Sequence, residues 1–439
     1  MNKVILLLLL TLFLIISFKQ LHAVPNTEQN YKAVSEEYIK LVLSLGEHDK
    51  NYVDAYYGDE KFQEYVIKNP LTLKQIIEQT KKLLQKLSNL KPKKELIKLR
   101  HSYLHIQLSS LKARASMLTG SRKYSFDEQS RLLYDTEAPH YKLSEFDKTL
   151  EKLNRLLPGT ESLTVRANRF KDQFIIPKNK LSEIFNIAIK ECRDRTQVYV
   201  ELLPNENFTL EYVKDKPWSG YNWYKGNAFS LIQVNEELPI YISRAIDLGC
   251  HEGYPGHHTY NALLEANLVK KLGWKEFTVY PLFSPQSLIA EGSANYGIEL
   301  AFPGNDKIEF EKNNLFPIAG INKNLADDYV IFSKLTEKLN YAGNEIARLY
   351  LNGEIEPEKA VELFQKYTLA SEQKSQQRLK FWDTYGAYVI NYNWGKDLVK
   401  NWVEAGKDQT NKGKWNRFAK LLSSPILPST LKNELGVNN

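Results

Sequence analysis

Cysteine is nearly absent. The chain of 439 residues holds two, Cys192 and Cys250, too few for the disulfide framework on which small exported folds depend. A single bridge is open to them, but Cys250 sits in an apolar run, and two buried free thiols are the simpler expectation. Long apolar runs are scarce as well. The N-terminal run from Val4 to Ile16 spans 13 residues, short of the ~20 that cross a bilayer as a helix. No dense Lys/Arg block with interleaved aromatics is present, which speaks against nucleic acid as a partner; Lys91-Pro92-Lys93-Lys94 reads as a solvated stretch. Repeats of 20–50 residues and low-complexity tracts are also lacking. With 43% hydrophobic residues and modest Gly and Pro, the chain can bury a large core.

What is present begins with the layout of a secretory signal peptide: Lys3, the short apolar run, and a polar stretch ending in Leu21-His22-Ala23. Its removal takes Lys3 and Lys19 and no acid, so the formal charge of +7 falls to +5. The expectation is export to the periplasm or the medium, with no stable membrane anchor after cleavage. From Glu28 to about Leu156, apolar residues recur every three or four positions, as in YKAVSEEYIKLVLSLG, which predicts helices. Leu181–Arg195 continues in the same manner. The segments VYVELLP, FTLEYV and AFSLIQVNEELPIYI are β-branched, aromatic and separated by Asn, Gly and Pro; they predict a small sheet. Helical periodicity resumes at Ile242. The predicted fold class is mainly α (α+β), divided into a signal peptide at 1–23, an N-terminal helical lobe at 24–170 and a catalytic region at 171–439.

Three of the eight histidines, His251, His257 and His258, fall within the segment HEGYPGHH. A catalytic zinc site uses neutral imidazoles, often a carboxylate, and an open position for water. In a helical HExxH arrangement the two His lie about 40° apart around the axis and about 6 Å along it. His251 and His257 are six apart, which on an undistorted helix means about 120° and about 9 Å. Between them, Pro255 cannot continue the helix and Gly256 can adopt conformations closed to other residues. If these two loop out, the order His251-Glu252-Gly253-Tyr254-His257 restores HExxH spacing. His258, seven residues from His251, is the other choice of second ligand, nearly in line but about 10 Å away.

A third ligand is expected from a separate helix. In SLIAEGSANYGIEL, Glu291 lies among small residues, and Gly292 and Ala294 permit close approach of a neighbour. An acid in such surroundings is usually paired or metal-bound; Glu265 and Glu299 are substitutes in more polar settings. Glu252 is placed to take a proton from water. A closed structural metal site is disfavoured, because Glu252 stays free and only one Cys is adjacent. Among lesser candidates, His101 and His105 have metal-compatible spacing without a carboxylate, Asp247 could orient an imidazole, and the strand Phe229–Val234 could offer an edge to an extended peptide.

The chain resembles the bacterial family called domain of unknown function 885, grouped with gluzincin-like metallopeptidases. The likeness rests on HEGYPGHH, on AEGSA around Glu291, and on LVLSLGEHDKNYVDAYYG, FSLIQVNEELP and YVINYNWGKDLV. It implies a mostly helical zincin fold with a small sheet, Zn²⁺ held by two His and a Glu, and Glu252 as general base. It also implies Tyr392 as a substrate or oxyanion contact; His258 is a second candidate for that hydrogen bond. The pair Gly386-Ala387 departs from the more polar pair expected there. The resulting expectation is an exported zinc peptidase acting on a peptide or small amide. The alternatives are a zinc hydrolase of non-peptide amides or esters, and a secreted metal- or peptide-binding protein without turnover. Oligomeric state is not legible.

Overall fold

The structure, a computed structural model, describes residues 27–216, 218–237 and 239–436. The expected signal peptide lies outside them. In chain order, the elements that build and position the site are α1 (Thr27–Gly46), β1 (Val53–Tyr56), α2 (Glu95–Leu118), α3 (Leu181–Gln197), β2 (Asn207–Val213), β3 (Gly220–Gly226) and β4 (Phe229–Asn235). They continue with α4 (Ser243–Leu248), α5 (His257–Leu264), β5 (Val279–Pro281), α6 (Pro285–Ala301), α7 (Glu372–Tyr385) and α8 (Ile390–Glu404). The protein is mainly α with a small β part, as its periodicity predicts. Among the described residues no helix is long and apolar enough to cross a membrane.

Helix α1 shows why: Tyr31, Val34, Tyr38, Ile39, Val42 and Leu45 recur at three- and four-residue spacing and are all buried, so one stripe faces the core. Residues 27–170 do not form a lobe apart, however. β1 pairs antiparallel with β5, Val53 opposite Pro281 and Tyr56 opposite Val279. The Arg100 guanidinium on α2 meets Glu276 in a buried fork, Nε to Oε1 at 2.5 Å and Nη2 to Oε2 at 2.9 Å. One hydrophobic core runs from Tyr31 to Leu431. The expected boundary at 170 fell between the helical pattern that ends near Leu156 and the helix Leu181–Arg195, whereas packing joins the two sides.

The second sheet has the order β2-β4-β3, with β2 parallel and β3 antiparallel to β4. This corrects two expectations. The segment 198–204 forms no strand, its place being taken by the Gly-rich, aromatic β3. And β4 is the central strand, both of its edges paired, so the free edges belong to β2 and β3.

The cysteines are also corrected: Cys192 of α3 and Cys250 form a disulfide, with Cα atoms 5.4 Å apart. Helix α3 packs against the segment carrying Cys250, bringing together residues separated by 58 positions. A crosslink closing such a loop is worth about 4 kcal/mol by restricting the unfolded chain. A Cys192→Ser/Cys250→Ser protein is therefore expected to unfold at clearly lower denaturant concentration than the oxidised wild type. Equal midpoints in urea titrations of the two would contradict this.

Candidate metal centre

The histidine segment takes shape where α4 stops. Past Leu248 the backbone widens into a π turn over Gly249–Gly253, the Tyr254 N–H reaching Gly249 O at 3.3 Å. Tyr254 is extended, with φ −121° and ψ 121°. Gly256 N–H then donates to Cys250 O at 2.9 Å, and α5 starts at His257. Glycine at 256 is obligatory, since a Cβ there would stand 1.8 Å from His251 O. The inferred bulge at Pro255-Gly256 is thus present, widened by the π turn before it.

The consequence is convergence. His251 Nε2 and His257 Nε2 lie 3.1 Å apart. Glu291 on α6 brings Oε2 to 3.2 Å from His251 Nε2 and Oε1 to 3.8 Å from His257 Nε2. Helix α6 can deliver Glu291 because it crosses α8 at backbone contact: a Cβ on Gly292 would meet Gly395 O at 2.4 Å. Two ring nitrogens aimed at each other beside a carboxylate is an arrangement that a shared cation satisfies. Glu291 Oε2 is buried and, His251 Nε2 at 3.2 Å notwithstanding, accepts no hydrogen bond of ordinary geometry among the described residues, an acceptor of the kind a cation would occupy.

The surroundings fix protonation. His251 Nδ1 donates to Asn295 Oδ1 at 3.2 Å, while Asn295 Nδ2 donates to Tyr392 O at 3.1 Å. This orients the amide and leaves the lone pair of His251 on Nε2. Tyr388 OH donates to Glu291 Oε1 at 2.8 Å. Burial pushes the His257 imidazole down to about 4, against the opposing charge of Glu291, so it is neutral at pH 7. For His251 burial acts downward too, but Glu291 and Glu252 outweigh it and its pKa is raised. Burial would raise Glu291, yet His251, His257 and the Tyr388 hydroxyl hold it below the usual carboxylate range. These donors fit a divalent cation of borderline softness such as Zn²⁺.

Glu252 is buried at 5% exposure. Burial, moderated by His251 and reinforced by the charge of Glu291, pushes its carboxyl up to about 7. Among the described residues no hydrogen-bond donor holds that carboxylate. Strand β3 lies over it: a Cβ on Gly220 would stand 3.2 Å from Glu252 Oε1, and Asn222 Nδ2 donates to Glu252 O at 2.7 Å.

His258 is turned away from the site. One position further along α5 its side chain points about 100° elsewhere, where Nδ1 meets Ser230 Oγ at 2.8 Å and Nε2 meets Glu206 Oε2 at 2.9 Å. Tyr254 OH and Arg193 also donate to Glu206, so His258 belongs to a buried network that supports the segment from behind. It is neither ligand nor oxyanion donor. Glu265 caps the β3–β4 turn through the Ala228 and Asn227 N–H groups, and Glu299 is held by Lys396 and Lys400. Asp247 pairs with Lys307 rather than with an imidazole; Asn295 has the orienting place. His101 hydrogen-bonds Tyr31 OH at 2.8 Å, with His105 exposed beside it.

Tyr392 sits on the centre's rim, 37% exposed, its ring edge-on to Tyr388 at 5.7 Å. Burial and the charges of Glu291 and Glu252 raise its phenol well above the ordinary value, against Arg378. Tyr388 and Asn295 escaped sequence reasoning, although each shares a helical face with a residue it singled out: Tyr388 is four before Tyr392, and Asn295 four after Glu291. Asp54 of β1, which accepts from Tyr221 OH, was missed altogether. Its charge reaches both Glu252 and Glu291, and a four-residue strand inside a helical stretch leaves no periodic signal.

The chain matches no protein-family model and no curated protein. Among solved structures it is similar to a "putative lipoprotein" from Colwellia psychrerythraea, at 13% identity and a TM-score of 0.53, over 83% of this chain and 69% of that one. A "putative lipoprotein of unknown function" from Shewanella oneidensis is 12% identical with a TM-score of 0.49, over 86% and 76%. The Colwellia likeness is one of fold.

Proposed function

We propose that this protein is an exported zinc-dependent hydrolase that cleaves peptide bonds. The observation that carries the reading is the meeting of His251, His257 and Glu291, whose donor atoms all lie within 4.8 Å of one another, beside the buried and unbonded carboxylate of Glu252. The resemblance of HEGYPGHH and AEGSA to the domain of unknown function 885 family supports it. Export agrees with the signal-like N-terminus and with the lipoprotein naming of the Colwellia neighbour.

Zn²⁺ held by these three residues would supply Lewis acidity, lowering the pKa of water toward ~7 and polarising a carbonyl. The chain's own residues do the rest. Glu252, near pKa 7, takes a proton from water as the water oxygen joins the acyl carbon. As the C–N bond breaks, it returns that proton to the amine nitrogen. Tyr392 remains protonated and has no hydroxyl partner among the described residues, so it can donate to the oxygen on which charge develops. Asn295 and Tyr388 hold His251 and Glu291 in place.

The test is to measure bound metal in the purified protein, then digest a mixed peptide library with zinc-loaded wild type and with Glu252→Gln, reading products by mass spectrometry. About one zinc per chain and products from wild type alone are expected. Identical product sets from both proteins would place the activity elsewhere.

A further inference from the structure

Among the arginines with buried or mostly buried side chains, Arg166 is held by the Leu157 and Glu161 carbonyls and Asn154 Oδ1, and the others hold a carboxylate: Arg100 holds Glu276, Arg114 Asp49, and Arg348 both Asp127 and Glu345. Arg378 on α7 does not. Its guanidinium lies over the rings of Phe381 and Phe364, at 5.1 and 5.8 Å, and among the described residues it makes no hydrogen bond or ion pair. The residue is half-buried, and burial of its guanidinium lowers its pKa, with Tyr392 acting the other way. Lys374, one turn earlier on the same helix, likewise pairs with no acid among the described residues; its ammonium sits 5.2 Å over the Tyr241 ring. Burial lowers its pKa, Arg244 adds to the fall, and the charge of Asp172 opposes it. Arg244 in turn acts on both His251 and Glu252, and the acid nearest it, Asp247 at 3.9 Å, is already held by Lys307.

These cations border the metal centre. The Phe381 ring under Arg378 packs against Tyr388 at 6.4 Å and Tyr392 at 6.5 Å, and Tyr388 OH is bonded to Glu291. Arg378 is therefore one aromatic layer from the side chains that hold a ligand and face the reacting bond. A planar guanidinium kept unpaired on an aromatic shelf is matched to a carboxylate, which it can bind through two parallel hydrogen bonds. The acids of the centre are otherwise engaged, Glu291 with His251 and His257, Asp54 with the Tyr221 hydroxyl, and Glu252 toward the proton, which leaves a carboxylate brought by the substrate as the partner.

We infer that Arg378, with Lys374 beside it, receives the C-terminal carboxylate of the substrate, making the enzyme an exopeptidase that cuts at a fixed distance from the carboxyl end. This rests on the hydrolase reading above. The carboxylate is bound and not transformed; the bond that breaks is the peptide C–N bond.

Matched peptides ending in a free carboxylate or in an amide provide the test. Zinc-loaded wild type is expected to favour the acid about tenfold to a hundredfold in kcat/KM, as befits a hydrogen bond to a charged group, with the difference in KM. The cut should keep one distance from the C-terminus in peptides of different length. Arg378→Gln is expected to bring the acid-to-amide ratio near one, and Arg378→Lys to retain part of it. Thermal melts show whether each variant is folded. Calorimetry of both peptides on zinc-loaded Glu252→Gln reads the same preference without turnover. Equal affinity for acid and amide there, or a ratio unmoved by Arg378→Gln, overturns the assignment. A clear acid preference in binding, with no cleavage by wild type, would instead overturn the hydrolase reading and leave the carboxylate site standing.

Discussion

Glu252→Gln is expected to lose about a hundred- to ten-thousandfold in kcat, the range that a positioned general base contributes, while binding zinc as the wild type does. Glutamine keeps the size and one carbonyl oxygen but cannot accept a proton at neutral pH. The side chain sits in a pocket of the π turn under Gly220, so an isosteric replacement leaves the backbone of His251 undisturbed. No described hydrogen bond to the carboxylate is lost, and the fold should melt at the same temperature. The decisive comparison is single-turnover rate against zinc content. A variant that retains its metal and more than about a tenth of wild-type turnover would remove Glu252 from the proton-transfer role.

The second large effect concerns the ligands. His257→Ala and Glu291→Ala are each expected to reduce bound zinc to background and abolish turnover, since three protein donors are what a catalytic zinc site ordinarily has. Stability supplies a readout independent of activity. A ligand that binds only the folded state stabilises it by about 2.7 kcal/mol at a hundred times its dissociation constant. Added zinc should therefore raise the melting temperature of the metal-free wild type and leave that of either variant unchanged. Glu291→Ala should also leave Tyr388 OH without its acceptor in a buried setting, a cost of about 1–3 kcal/mol that His257→Ala does not carry. Zinc-dependent stabilisation of both variants equal to that of wild type would show that the cation binds elsewhere.

The site was more legible than the packing around it. His251, Glu252 and Glu291 stand out because their chemistry demands residue types that are otherwise rare in apolar surroundings, and because Gly292 announces a close helix crossing that the structure realises against Gly395. The choice between His257 and His258 turned on the path of three residues, Tyr254 to Gly256. Spacing alone narrows that path, and only the backbone settles which imidazole turns toward His251. The β4 edge and the free thiols failed for a common reason. Pairing partners, whether a strand on each side of β4 or Cys192 beside Cys250, are set by elements far away in sequence.

By itself, the amino-acid order determined a helical protein with a small sheet and a kinked histidine segment, because periodicity and the limits on Pro and Gly are local properties of the chain. Tertiary structure decided which side chains meet. It turned His258 into a buried support, brought Asn295 onto His251 and Tyr388 onto Glu291, joined the N-terminal helices to one core through β1 and Arg100, and left Arg378 without an acid among the described residues. Those outcomes depend on contacts between distant segments, whose geometry no window of sequence contains.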